Sequence, residues 1–193
     1  MVNLIRRKCY KRKTGHAGTL DPLATGVLVL GIGTMTKKLG QMMDTDKQYT
    51  TVIDLSATTA GHDAESERIE VQVDSIPTTE EVQEVVNSFS GTIMQAPPIF
   101  SAVKVDGHRA YSVARKGKEV HLEPRSVNVH AISMRRYDWP FVTIEIECAK
   151  GFYVRSLARD VGEKLSVGGY CTEIRRTAVG AFSLDSAWQL EDL

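Results

Sequence analysis

The chain has 193 residues, room for one domain or for one domain with an appendage. Apolar residues make up 42% and charged residues 25%, an ordinary globular balance, and no apolar run is long enough for a membrane-spanning helix. The zero net charge hides a pattern: residues 1–50 carry 9 Lys/Arg against 3 Asp/Glu, and residues 51–100 carry 1 against 9, so a polyanionic ligand is not excluded.

In chain order, Arg6, Arg7, Lys8, Lys11, Arg12 and Lys13 form a basic cluster around Tyr10, without the apolar stretch of a secretory signal. Residues 27–32 are an apolar run that predicts a buried strand. Thr34 or Thr36 is placed to cap a helix through residue 43, with Leu39, Met42 and Met43 on one face. Residues 48–55 have strand chemistry, residues 56–66 are a polar loop, and residues 69–73 alternate as a strand. Thr78 with Glu81 three residues on is a capping box, and Val82, Val85, Val86 and Phe89 form the inward stripe of a helix that Gly91 ends. Residues 95–98 must be extended ahead of their prolines. A short helix over 109–116 and a strand over 119–122 follow. Residues 127–134 and 141–149 alternate across Asp138-Trp139-Pro140 as a hairpin. Residues 154–165 predict a helix with Leu157, Val161 and Leu165 inward, and residues 170–182 return to strand. Strands and helices mix without regular βαβ alternation, which predicts an α+β fold with a largely antiparallel sheet, a single domain over 1–193.

Cys9, Cys148 and Cys171 are odd in number and widely spaced. They offer no zinc pattern, and read as reduced thiols in a cytoplasmic, reducing compartment. His16 has no second ligand at metal spacing, so no metal is expected.

The chemistry concentrates at Asp21. It lies in Gly15-His-Ala-Gly-Thr-Leu-Asp-Pro-Leu-Ala-Thr-Gly26, a turn built from Gly15, Gly18 and Pro22. A carboxylate on such a stiff loop is aimed rather than loose. Arg155 sits at the start of a predicted helix, where its charge opposes the dipole's positive end, a misfit that asks for an anion nearby. Tyr153, two residues earlier, shares its face if the segment is extended.

The stretch GHAGTLDPLATGVL resembles the signature GHxGTLDPxAxGVL of the TruB family of tRNA pseudouridine synthases. Lys47-Gln-Tyr49 is similar to that family's KxY motif, Lys150-Gly-Phe-Tyr-Val-Arg-Ser156 to KGTYIRSL, and Glu173-Ile-Arg-Arg-Thr177 to its LRRTxVGxF block. Gln95–Lys104 and Tyr111–Gly117 match the QxPPxxSAxK and YxxARxG blocks that flank a T-loop-gripping insertion. The resemblance implies a pseudouridine synthase fold and a cofactor-free isomerase that flips a uridine, most specifically position 55 of the tRNA T-loop, out of its stack. It implies Asp21 as the catalytic carboxylate, Arg155 as its cationic partner, and Tyr153 as a proton-transfer group. Tyr49 would stack on the base, His16 would contact the RNA, and Ile174 would wall the pocket. Lys104, Arg109, Arg115, Lys116, Lys118, Arg125 and the N-terminal cluster would supply a phosphate track. The expected partner is tRNA, the expected working form a monomer.

Departures from the family pattern carry expectations of their own. The KPxGxTS block that usually precedes GHxGTLDP is absent, so the chain is expected to start inside the following helix and to lack a supporting strand. TDTxDxEG survives only as Ala57-Thr-Thr-Ala-Gly-His-Asp-Ala-Glu-Ser66, with Asp63 roughly keeping the second acid. The PUA-type RNA-binding domain that many relatives carry is expected to be missing. A non-catalytic RNA-binding or tRNA-folding module is the alternative; the intact set Asp21, Tyr49, Tyr153 and Arg155 speaks against it.

Overall fold

The computed structural model describes residues 1–101, 103–105, 108–110 and 122–192. The expected helix over 109–116 and strand over 119–122 fall mostly outside them, as do Arg115, Lys116 and Lys118. Arg109 itself ends a two-strand hairpin, β8 (Lys104–Val105) with β9 (His108–Arg109).

The frame is a seven-stranded sheet, mixed but mostly antiparallel, with helices packed on one face. Its strands are β2 (Thr25–Gly26), β4 (Lys47–Asp54), β7 (Gly91–Gln95), β10 (Arg125–Asp138), β11 (Phe141–Cys148), β12 (Tyr170–Val179) and β13 (Phe182–Ser183). The main path runs β13-β12-β4-β11-β10-β7, and β2 joins β12 in parallel. The hairpin of β10 and β11 turns at Trp139 and Pro140, as its alternating sequence predicts. Along β11, Val142, Ile144, Ile146 and Cys148 are buried while the intervening residues are more open, so one face takes the core and the other takes water.

Helix α3 (Thr79–Asn87) begins at the predicted capping box. The Glu81 amide donates to Thr78 Oγ1 at 3.2 Å and the Thr78 amide to Glu81 Oε2 at 2.7 Å. Val82 and Val86 are buried, with Phe89 beyond them. Helix α4 (Val154–Leu165) buries Leu157, Ala158 and Val161 in the same core, against Ile53, Val129 and Ile144 of the sheet. Helix α1 (Val2–Lys8) opens the chain and places its basic residues in its last turn.

Several local expectations change. The run 27–32 is not one strand. Only β3 (Leu30–Ile32) pairs, with β1 (Thr14–His16), in a separate two-stranded sheet. Val27 and Val29 bury instead against Ala17, Leu39 and Val179 in a small second core. Apolarity specified burial here, and the short span specified nothing about pairing. Residues 33–38 form a 3-10 turn with no side-chain cap, and the helix is only α2 (Leu39–Met43), with Met43 exposed. The polar stretch 56–66 contains β5 (Ala57–Thr59), which pairs with β6 (Arg68–Glu70). Gly91 starts β7 at φ +87° instead of ending α3, whose cap is Ser88. Residues 170–182 form two strands because the chain turns at Gly180, φ +52°.

Candidate active site

A cleft of about 960 Å³ opens at the end of the sheet, beyond the N-terminus of α4. Asp21, Tyr49, Tyr153, Arg155 and Ile174 all line it. His16 is not among the residues that wall it; it sits in β1, and its Nδ1 is buried without a hydrogen-bond partner. A smaller cleft of about 420 Å³, walled by Asp44, Asp46 and Glu147, holds none of the expected site residues.

The cleft floor is strand chemistry. Tyr49 and Thr51 lie on one face of β4, continuing the line of Ile53 in the core. In the register of β4 with β12, Ile174 faces Thr51 and Arg176 faces Tyr49. The apolar core thus runs into the cleft without a break, and its last members become the floor.

The loop carrying Asp21 is clamped from below by Arg176. That side chain is almost wholly buried; its Nε donates to Val27 O at 2.8 Å, and its Nη atoms point at the Thr19 and Gly18 carbonyls at 3.4 Å. Gly26 allows the loop to lie this close. Its φ is +99°, and a Cβ there would sit 2.1 Å from the Arg176 carbonyl oxygen. The Ala24 amide closes a turn on the Asp21 carbonyl at 2.9 Å.

Arg155 meets Asp21 in a fork. Its Nε donates to Oδ2 at 2.8 Å and its Nη2 to Oδ1 at 3.0 Å. Two parallel N–H···O bonds fix a carboxylate in one orientation. The guanidinium is otherwise enclosed: Nη2 also donates to Phe100 O at 3.0 Å, Nη1 donates to Gly61 O at 3.2 Å, and Nη1 lies 3.3 Å from Asp63 Oδ2. Arg155 and Asp63 side chains are 5% and 7% exposed, whereas Asp21 is 35% exposed and open to the cleft. The charge that was out of place at a helix start is therefore met by two carboxylates. Burial pushes the Asp63 carboxyl above its ordinary value, and Arg155 pulls it back.

Tyr153 is extended and forms the N-cap position, while Arg155 is already helical, so the two reach the cleft without sharing a strand face. Gln95 fixes this junction. The Tyr153 amide donates to Gln95 Oε1 at 2.8 Å and Gln95 Nε2 donates to Tyr153 O at 3.2 Å. Ser156 Oγ donates to Ala96 O at 2.7 Å, adding a second strap. Burial raises the phenol of Tyr153 and that of Tyr49, so both are neutral at pH 7; the Arg176 guanidinium beside Tyr49 opposes the rise.

Residues 6–154 match the family model described as TruB family pseudouridylate synthase (N terminal domain), and residues 155–193 match that of the tRNA pseudouridylate synthase B C-terminal domain. The chain belongs to the TruB family. A relative named tRNA pseudouridine synthase B from Corynebacterium diphtheriae is 46% identical over 200 residues, covering 100% of this chain and 67% of that protein. The protein of the same name from Rhodococcus jostii is 49% identical over 198 residues, covering 100% of this chain and 65% of its own length. The chain thus spans about two thirds of the curated TruB relatives it matches. Among solved structures, a chain of a Cbf5-Nop10-Gar1 complex superposes with a TM-score of 0.71 at 26% identity, over 94% of this chain and 45% of the other. The boundary between the two TruB family models falls between Val154 and Arg155, inside the first turn of α4, yet both sides share one core and one cleft.

Sequence reasoning noted Asp63 only as a retained acid, and quoted Gln95, Lys47 and Arg176 inside motifs without roles. Their spacing carries no signal for those roles, because each acts through a partner distant in the chain. Among the described residues no cluster of His, Cys, Asp or Glu is arranged to hold a metal, and no helix is long and apolar enough to cross a membrane.

Proposed function

We propose that the chain isomerises uridine to pseudouridine in tRNA, at position 55 of the T-loop, without a cofactor. The flipped uridine enters the cleft with its ring on Tyr49 and against Ile174, stacking that offsets part of the cost of leaving the helix. The Asp21 carboxylate attacks C1′ as the C1′–N1 bond breaks, and the electron pair of that bond passes to the uracil ring. The ring stays bound, turns, and bonds C1′ through C5 while Asp21 departs. A proton leaves C5 and one arrives at N1, so atoms balance as an isomerisation, with Tyr153 assisting the transfer. One carboxylate suffices because the departing base is a delocalised anion that needs no acid to leave, unlike a sugar alcohol. His16 contacts the RNA outside the cleft wall, and the basic N-terminal segment adds phosphate contacts. The protein works as a cytoplasmic monomer.

The observation that carries the reading is the Asp21–Arg155 fork, open on its Asp21 side to a cleft floored by an aromatic ring. Asp21→Asn is expected to bind tRNA as the parent does and to form no pseudouridine on nuclease digestion and chromatography. Product at the parent rate would end the proposal.

A further inference from the structure

Two buried cations line the cleft with no carboxylate of the described residues at ion-pair distance. Lys47 stands two residues before Tyr49 on the same face of β4, and Arg176 faces Tyr49 across the β4–β12 register. Both are buried, 8% and 2% exposed, and both line the cleft with Asp21. Lys47 Nζ donates to the Met43 carbonyl at 2.6 Å and the Thr45 carbonyl at 2.5 Å, which leaves its third hydrogen unplaced. Arg176 bonds to backbone carbonyls, two of them at the long limit of 3.4 Å, and its guanidinium also reaches the Tyr49 hydroxyl. Among the described residues neither faces a carboxylate at ion-pair distance. Buried charges are ordinarily paired, so these two stand out.

The contrast across the cleft is ordered. At one end the carboxylates of Asp21 and Asp63 share the single guanidinium of Arg155. At the other, Lys47 and Arg176 flank the stacking ring. Asp44 also lines the cleft near Lys47, yet it is not at ion-pair distance from either cation. Burial lowers the Lys47 pKa and the Arg176 charge lowers it further, while Cys148, Asp46 and Asp44 oppose the fall without cancelling it, and an entering anion would oppose it too.

We propose that Lys47 and Arg176 stabilise the uracil anion released when C1′–N1 breaks. That inference rests on the function proposed above. The electron pair left on N1 spreads to O2 and O4, and fixed donors in a dry site stabilise such a charge because they need not reorganise as it forms. Neither residue forms or breaks a bond. A phosphate of the same nucleotide is the other anion that could meet these cations, and the two sources give opposite readouts.

The experiment uses the full chain and a T-stem-loop RNA carrying uridine, or 5-fluorouridine, at the target position. Fluorine makes the departing ring a better anion. Lys47→Gln is expected to lower the single-turnover rate on uridine about 100-fold. It should leave the RNA dissociation constant within about threefold and raise the 5-fluorouridine-to-uridine rate ratio of C1′–N1 cleavage about tenfold. Lys47→Arg should recover most of the rate. Arg176→Gln, read by the same ratio, replaces Lys47→Gln if denaturant melts show that variant unfolded. An unchanged ratio overturns the proposal. So does a loss confined to RNA affinity with a shallower salt dependence, which would assign the cations to a phosphate. If the parent protein makes no pseudouridine in any tRNA, the function itself has failed, and that result is separate from either outcome.

Discussion

Arg155→Met removes the guanidinium and keeps most of the apolar stem, so it isolates the charge. Arg155 holds two carboxylates, and their exposure decides which one suffers. Asp21, 35% exposed, is screened by water and contributes little to the cost. Asp63, 7% exposed, is left as a buried anion without its cation. Breaking such a pair from one side costs about 3–5 kcal/mol. For a chain of this size that is a fall in melting temperature of about 6–20 °C. The pH dependence has a definite sign. Burial already raises Asp63 above 3.8 while Arg155 lowers it, so removing Arg155 sends the folded-state value higher. A carboxyl raised in the folded state favours folding below its unfolded pKa, and that contribution is lost as pH rises through the folded value. The deficit of Arg155→Met should therefore be largest near pH 7 and shrink toward about pH 5. Urea unfolding of parent and variant at both pH values measures it. A deficit below about 1 kcal/mol, or one equal at both pH values, would show that Asp63 is not a buried anion held by Arg155.

Other expectations follow from single contacts. Gln95→Leu leaves the Tyr153 amide unpaired, while the Tyr153 carbonyl keeps the Leu157 amide; it should destabilise by about 1–3 kcal/mol and speed hydrogen exchange at the Tyr153 amide, and unchanged exchange would remove Gln95 from the support of the site. Gly26→Ala places a Cβ 2.1 Å from the Arg176 carbonyl at a positive φ, so urea unfolding should show a loss of at least about 1 kcal/mol, and a neutral effect would mean that the loop does not lie this close. Burial pushes the thiols of Cys148 and Cys171 up to about 12, whereas Cys9 is partly exposed. At about pH 8 a thiol reagent should label one cysteine of the native chain and all three after denaturation; rapid native labelling of three would contradict the packing.

What the sequence carried is what short-range chemistry encodes. The capping box at Thr78 and Glu81 specified where α3 begins, since both hydrogen bonds close within four residues. Alternation across Trp139 and Pro140 specified a hairpin, because strand period and turn lie in one continuous stretch. The rigid bend around Asp21 and the ill-placed charge of Arg155 pointed to a carboxylate and its partner, and motif resemblance supplied the family and the expected roles.

Tertiary structure decided everything that depends on distance along the chain. Asp21 and Arg155 are 134 residues apart, and only the folding of α4 over the sheet beside the β1–β2 loop brings them to 2.8 Å. The same assembly delivered Asp63 to the guanidinium, split the apolar run 27–32 between a short strand and a second core, and made Lys47 and Arg176 buried neighbours of Tyr49. The physical reason is common to all of these. A residue's helix, strand or turn preference is set by its neighbours in sequence, but its charge environment and solvent exposure are set by whichever segments the sheet register lays against it.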